Sequence, residues 1–418
     1  MNIRSLTTGA ALPTADEARL ELVSRLGSFA QAGKIALEES SFTVQTTRLA
    51  AQPLEEWLLV DDGTPGRVAD LGEACSESGL DYFSLGTLQA TIPQKELVPF
   101  YEVIPEALLA AGNAFASIQV GTRVGGGGIV NLEAVRASAH IMQELAERTP
   151  DGFGNLRFAA ACNCPPHVPF FPAAYYKENE SNGGRPEFGL ALEAADMAVR
   201  AFDGAASLDE ARLRLLALLE EEAGKAADVC VGLAAEHSYT FTGLDISMAP
   251  YPDEARSIGH ALELLSGAPL GSPGTLTAAA FFTSVLKQAR KQLPTVGYSG
   301  LMLPALEDQT LADRAAKGLV TIDTLLLMSA VCGLGLDTVP LPGDITTAQL
   351  ERIISDMAAL AVKLDKPLTA RLFPVPGKAA GEPAEWPDFP YFARGKVMHV
   401  PPVQQGAGLF TGTLIDLA

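Results

Sequence analysis

The sequence predicts an α/β fold, a barrel of about ten strands wrapped by helices. Three observations carry this expectation. Short apolar runs rich in β-branched residues recur from residue 3 to the carboxyl end, as strands buried on both faces do. Segments with apolar residues at helical spacing alternate with them. No fixed-period repeat and no low-complexity linker divides the chain, so residues 1–418 read as a single domain with elaborated loops.

IRSLTTG (3–9), FTVQTTRLA (42–50), DYFSLGTL (81–88), FASIQVGT (115–122) and RFAAACNC (157–164) read as five strands. Four more follow: TFTGLDISMAP (240–250), GYSGLMLPALED (297–308), GLDTVPLPGD (335–344) and TARLFPVPGK (369–378). KVMHVPP (396–402) supplies a tenth. Helix 132–148 starts after Asn131, a good N-cap, and keeps Leu132, Val135, Ala139, Met142 and Leu145 on one face. Helix 207–224 opens with Ser207 and Glu210 in capping-box spacing. Helix 278–290 is unusually rich in small residues, and helix 347–363 follows a Pro342-Gly343 turn. Residues 379–390 are proline-rich and irregular.

Composition excludes several function classes. A chain of 418 residues, 48% hydrophobic and 19% charged, can bury a large core. Its formal charge of −20 argues against nucleic acid or an anionic membrane surface as partner. No apolar run reaches membrane-spanning length, and the amino end leads into a strand-like run rather than a signal-like one. Five cysteines without a disulfide-like framework fit a reducing compartment, which predicts a cytoplasmic protein. The small-residue helix 278–290 and the leucine-rich helix from Leu208 offer faces for a homodimer.

Parallel sheets collect ligands at the carboxyl ends of their strands. That rule gathers Asp245, Glu307, Asp308, Asp337, Asp344, Arg371 and Lys378 at one mouth. Asp245 lies between Leu244 and Ile246, where a charge is costly unless paired, hydrogen-bonded or metal-bound. With Glu307 and Asp308 it would divide acid and base roles or hold a divalent ion such as Mg²⁺. Capping of the following helices is the alternative for Asp308 and Asp344. Arg371 within an apolar strand, and Lys378 on a proline-stiffened turn, would grip a carboxylate or phosphate.

The run GTRVGGGG (121–128) would aim backbone N–H groups at an anion, with Arg123, Gly125 and Gly126 around it. It lacks both nucleotide-binding spellings, and its glycines equally suit a turn that needs positive φ. Cys162-Asn163-Cys164 departs from zinc spacing. It leads to His167, placed to transfer protons at the rim, and to the aromatic wall VPFFP (168–172). Glu236-His237-Ser238 has no nucleophile elbow around it.

The ordered motifs GLDISMAP, GTLTAA, LPALED, GLDTVPLPGD and RLFPVPGK, with MNIRSLTTG and SIQVGT…NLEAVRASAHIM, resemble one family. It is the uncharacterised group called domain of unknown function 711, or uncharacterised protein family 0210, and the likeness spans nearly the whole chain. The resemblance implies a ten-stranded barrel like that of pyruvate formate-lyase and ribonucleotide reductase. It does not bring radical chemistry: Arg123-Val124-Gly125 lies in the first third and lacks the aromatic of a glycyl-radical loop, and no Cys-Cys pair occurs. The tail FARGKVMHVPP departs from the family's glycine-rich end, so no role is carried to Arg394 or His399.

The sequence thus leads to an enzyme acting on a small anionic substrate at the carboxyl mouth of the barrel. Asp245, Glu307, Asp308 and His167 would be catalytic. Arg123, Gly125, Gly126, Asp344, Arg371 and Lys378 would hold the substrate. The alternative is a non-catalytic metabolite-binding or sensor protein using the same pocket.

Overall fold

The computed structural model describes residues 1–178, 184–403 and 411–417. Ten strands matter to the site: β1 (Asn2–Gly9), β2 (Val44–Ala50), β3 (Tyr82–Leu88), β4 (Ala114–Val124), β5 (Gly127–Asn131), β6 (Phe158–Cys162), β7 (Glu187–Glu193), β8 (Thr240–Asp245), β9 (Gly335–Pro342) and β10 (Leu368–Val375). Nine of them form one continuous path, β8-β7-β1-β2-β3-β4-β6-β10-β9. β5 folds back on the end of β4 and pairs on its other side with Leu414–Asp416.

Among the described residues the α-helices are α1 (Asp16–Glu39), α2 (Thr64–Glu77), α3 (Val98–Ala110), α4 (Leu132–Arg148), α5 (Ala195–Phe202) and α6 (Leu208–Leu218). They continue with α7 (Gly224–His237), α8 (Ile258–Ser266), α9 (Thr275–Ala289), α10 (Gln309–Ala316), α11 (Ile322–Ser329) and α12 (Thr347–Leu364). None is long and apolar enough to cross a membrane. The caps expected at Asn131 and Ser207 form: Asn131 accepts from the N–H groups of Glu133 and Ala134, and Ser207 accepts from Glu210; on α12, Thr346 and Gln349 complete a reciprocal box. One large core cluster joins these helices to the sheet; Gly33 of α1, for example, leaves space that the Leu6 side chain of β1 occupies.

Strand direction decides where a site can form. β1, β2, β3, β4 and β6 run parallel to one another. β7 and β8 are parallel to each other, as are β9 and β10. The two groups meet antiparallel, at β1/β7 and at β6/β10. The sheet is therefore two opposed parallel halves rather than the uniformly parallel sheet expected from the alternation of strands and helices. Period-2 patterning carries no sign of direction, which is why this reversal escaped the sequence.

The expected strand 297–308 is absent. Residues 294–305 are irregular and make one parallel bridge to each sheet edge, Thr295 to Leu244 of β8 and Pro304 to Asp337 of β9. A closed ten-stranded barrel is thus not drawn by the hydrogen bonds; two edges instead share one irregular connecting segment. The expected strand 396–402 shrinks to the two-residue Gly395–Lys396, and β5 and β7 were missed.

The sheet's inner surface carries hydroxyls because backbone passes against it. Residues 163–176 run there as irregular chain, and a buried carbonyl needs a donor. Ser5 and Thr7 both donate to the Pro169 carbonyl (3.1 and 2.9 Å), Ser84 donates to Ala174 (2.7 Å), and Thr87 to Ala173 (3.3 Å). The Gln119 amide closes a two-way pair with the backbone of Cys164, at 3.0 and 2.9 Å. Gly86 of β3 marks a second close approach. Its φ is +97°, and a Cβ there would stand 2.0 Å from the Gln52 carbonyl oxygen. Gly86→Ala should therefore cost at least about 2 kcal/mol in urea unfolding, from strain and overlap together. A change within about 0.5 kcal/mol would refute this crossing.

Candidate functional site

A cavity of about 90 Å³ lies between the first half of the sheet, the inner segment and the chain beyond β8. β1 to β4 contribute Arg4, Thr46, Arg48, Tyr82 and Phe115. The inner segment adds Phe170, Phe171 and Pro172, so the expected aromatic wall is in place. Glu307, Asp337 and Arg371 line the opposite side, and Phe389 and Tyr391 complete the enclosure.

A bulge aims the central charges. Pairing between β9 and β10 slips by one residue, from Ala370–Leu336 to Leu372–Val339, which sets Asp337 and Thr338 against Arg371 alone. Thr338 takes up the extra residue at φ +46°. Arg371 then donates from Nε to Asp337 (2.5 Å), from Nη2 to Glu307 (2.8 Å) and from Nη1 to the Leu156 carbonyl (3.3 Å). Its guanidinium is fully engaged. Arg4 donates to the Pro250 carbonyl (2.5 Å) and stands 3.5 Å from Glu193 and 3.7 Å from Glu307. Glu193 is also 3.3 Å from Arg256.

Arg48 is different. Its Nε donates to Thr46 Oγ1 at 2.9 Å, and its guanidinium lies 5.6 Å from the Tyr82 ring and 5.1 Å from Phe171. Among the described residues no carboxylate reaches ion-pair distance of it. Burial pushes its pKa down to about 10, with Arg4 and Arg371 adding to the effect against Tyr82 and Glu307. Burial also raises the Glu307 carboxyl above its ordinary value of 4.5, opposed by Arg371, Arg4 and Arg48. Arg371 is held above its usual value by Asp337 and Glu307, against the effect of burial.

The profile of the family described as "Uncharacterised ACR (DUF711)" matches residues 1–388. The chain belongs to that family. A UPF0210 protein of Bifidobacterium longum subsp. infantis is 29% identical over 336 residues, which cover 76% of this chain and 70% of the relative. One from Pyrobaculum aerophilum is 35% identical over 299 residues, covering 69% and 62%. One from Pyrobaculum arsenaticum is 36% identical over 265 residues, covering 60% and 56%. The DUF711 match takes in Arg4, Arg48, Glu307, Asp337 and Arg371, while Tyr391 lies beyond it.

Of the residues singled out from the sequence of this DUF711 chain, Glu307, Asp337 and Arg371 meet in the cavity. Asp245 does not line it. Its carboxylate is completely buried and accepts from Ser247 N (3.0 Å), Ser247 Oγ (2.6 Å), Tyr298 N (2.8 Å) and Ser299 N (2.8 Å). It fastens the irregular segment to the end of β8. Asp308 caps two helices, accepting from Leu311 N of α10 and from Ser257 Oγ, Ile258 N and Gly259 N at the start of α8. The three carboxylates proposed to share a metal thus face different partners, and among the described residues no three His, Cys, Asp or Glu side chains gather as metal ligands.

His167 stands at the other end of the sheet, in a small pocket with Thr8, Gly9 and Thr242, its Nδ1 against the buried Glu187. Arg123 lies 3.6 Å from Asp365, and Gly125 and Gly126 form the exposed turn between β4 and β5. Asp344 and Lys378 are exposed at the far ends of β9 and β10; Thr346, not Asp344, caps α12. Opposed strand halves explain why Arg123 and His167 lie apart from Glu307 and Arg371: the carboxyl end of β4 and those of β9 and β10 point opposite ways. Cys164 is buried with its thiol 3.3 Å from the Tyr298 hydroxyl, and burial pushes its pKa up to about 12.

Arg4 and Arg48 were missed. Their signal was present: each is a charge inside a β-branched run, the same feature that drew attention to Arg371.

Asp337→Ala strands Arg371 beside a single remaining carboxylate and should cost about 3–5 kcal/mol in denaturant unfolding. A loss below about 1 kcal/mol would show the bulge contact to be dispensable. Glu307 sets a pH dependence. Because its folded pKa is raised, its contribution to stability is full below 4.5 and is lost as pH rises through the folded value. Glu307→Gln should flatten the fall in stability above pH 4.5, read as melting temperature against pH. An unchanged slope would contradict the raised value.

Proposed function

We propose that this chain is an enzyme acting on a small anionic metabolite in the cavity between Arg48 and Glu307. One observation carries the reading: Arg48 is a guanidinium on an enclosed aromatic wall that no carboxylate answers. An uncompensated cation there costs stability, whereas a bound anion would supply the missing charge-assisted hydrogen bonds. Glu307 faces the same space, and burial raises its pKa, so it holds a proton more readily than an ordinary carboxyl. Arg371 and Asp337 would orient Glu307, and Arg4 would set its charge. On the same reading, residues 294–305 complete the sheet as the barrel that the family resemblance implies. A divalent ion would enter with the substrate, at Glu307, rather than on a cluster of the chain's own carboxylates.

A thermal-shift panel of metabolite carboxylates and phosphates, with and without Mg²⁺, followed by mass spectrometry of products, tests this. Glu307→Gln should lower kcat by at least about 100-fold with little change in ligand affinity. Arg48→Met should raise KM by about 10- to 100-fold. Saturable binding without product would reduce the enzyme to a binding protein, and full turnover by Glu307→Gln would remove that residue from the chemistry.

A further inference from the structure

We infer that the ligand is a monocarboxylate with a flat apolar body, its carboxylate bound by both terminal nitrogens of Arg48. This rests on the reading that the cavity holds an anion, and it narrows the class.

Charge accounting comes first. Arg371 contacts Asp337 and Glu307, Arg4 contacts Glu193 and Glu307, and Arg256 is held by Asp253 and Glu193. Among the described residues Arg48 alone of these four has no carboxylate at ion-pair distance, so one guanidinium is open to one anionic group. A dicarboxylate or a phosphate dianion would set its second charge near Glu307 and Asp337, where Arg4 and Arg371 are already in contact with carboxylates.

Geometry narrows it further. Nε of Arg48 is committed to Thr46, while neither Nη has a hydrogen-bond partner among the described residues. Tyr82 and Phe171 flank the guanidinium within 5.6 and 5.1 Å and fix its position. Two free parallel donors match the two oxygens of a carboxylate. The remaining wall is aromatic: Phe115, Phe171 and Tyr391 face the space, and such rings favour stacking on a flat body.

The test is calorimetric titration of the full chain with 3-phenylpropanoate, propanoate, phenyl phosphate, succinate and 3-phenylpropanamide. Expected is binding of 3-phenylpropanoate at least about tenfold tighter than each of the others, with none for the amide. Arg48→Met should abolish it, and Arg48→Lys, which keeps the charge but loses the fork, should weaken it about tenfold. Unliganded Arg48→Met should melt no lower than the parent, since no carboxylate is orphaned. If succinate or phenyl phosphate binds tightest and is lost with Arg48→Met, the monocarboxylate class is overturned while the anion site stands. If no probe binds, or Arg48→Met binds as the parent does, both readings fall.

Discussion

The architecture depends on keeping the backbone of residues 163–176 satisfied against the sheet's inner surface. Without donors, each carbonyl there would cost on the order of 1–3 kcal/mol. Hydroxyls from Ser5, Thr7, Ser84 and Thr87 and the amide of Gln119 supply them. This is why β1 to β4 alternate polar residues on a face that would otherwise be aliphatic. The same segment presents Phe170 and Phe171 to the cavity, so the wall of the site and the lining of the sheet have one cause.

Strand reversal supplies the second constraint. Because β7 to β10 oppose β1 to β4 and β6, the cavity combines side chains from early positions of β1, β3 and β4 with groups on β9 and β10 and just beyond β8. The bulge at Asp337 and Thr338 then turns an in-strand contact into the Asp337–Arg371–Glu307 arrangement. Neither feature needs a helix N-terminus or a glycine loop to gather charge.

Much of this was legible in the sequence. Caps at Asn131 and Ser207 follow local rules that need no tertiary context, and helix α4 fell where Asn131 placed it, whereas Thr346 rather than Asp344 caps α12. Arg371 stood out because a charge within TARLFPV requires a partner. Asp245 stood out by the same logic, yet the partners it required were backbone N–H groups of a distant segment, which no spacing announces. Strand 297–308 failed for a related reason. LMLP has strand composition, but the chain there spans between two sheet edges, held by Asp245, instead of lying along either one. Direction of strands, bulge position and the residues sharing the cavity are long-range facts, and a single sequence holds them only implicitly.

The charges around the cavity come from opposite ends of the chain: Arg4 from the first strand in sequence and Arg371 from the last one of the main sheet, joined through Glu307. The pocket is therefore complete only when the first and last strands of this path have both docked. Occupancy by a ligand would in turn be linked to the folding of the entire sheet, making the small molecule a stabiliser of the whole protein rather than of one loop.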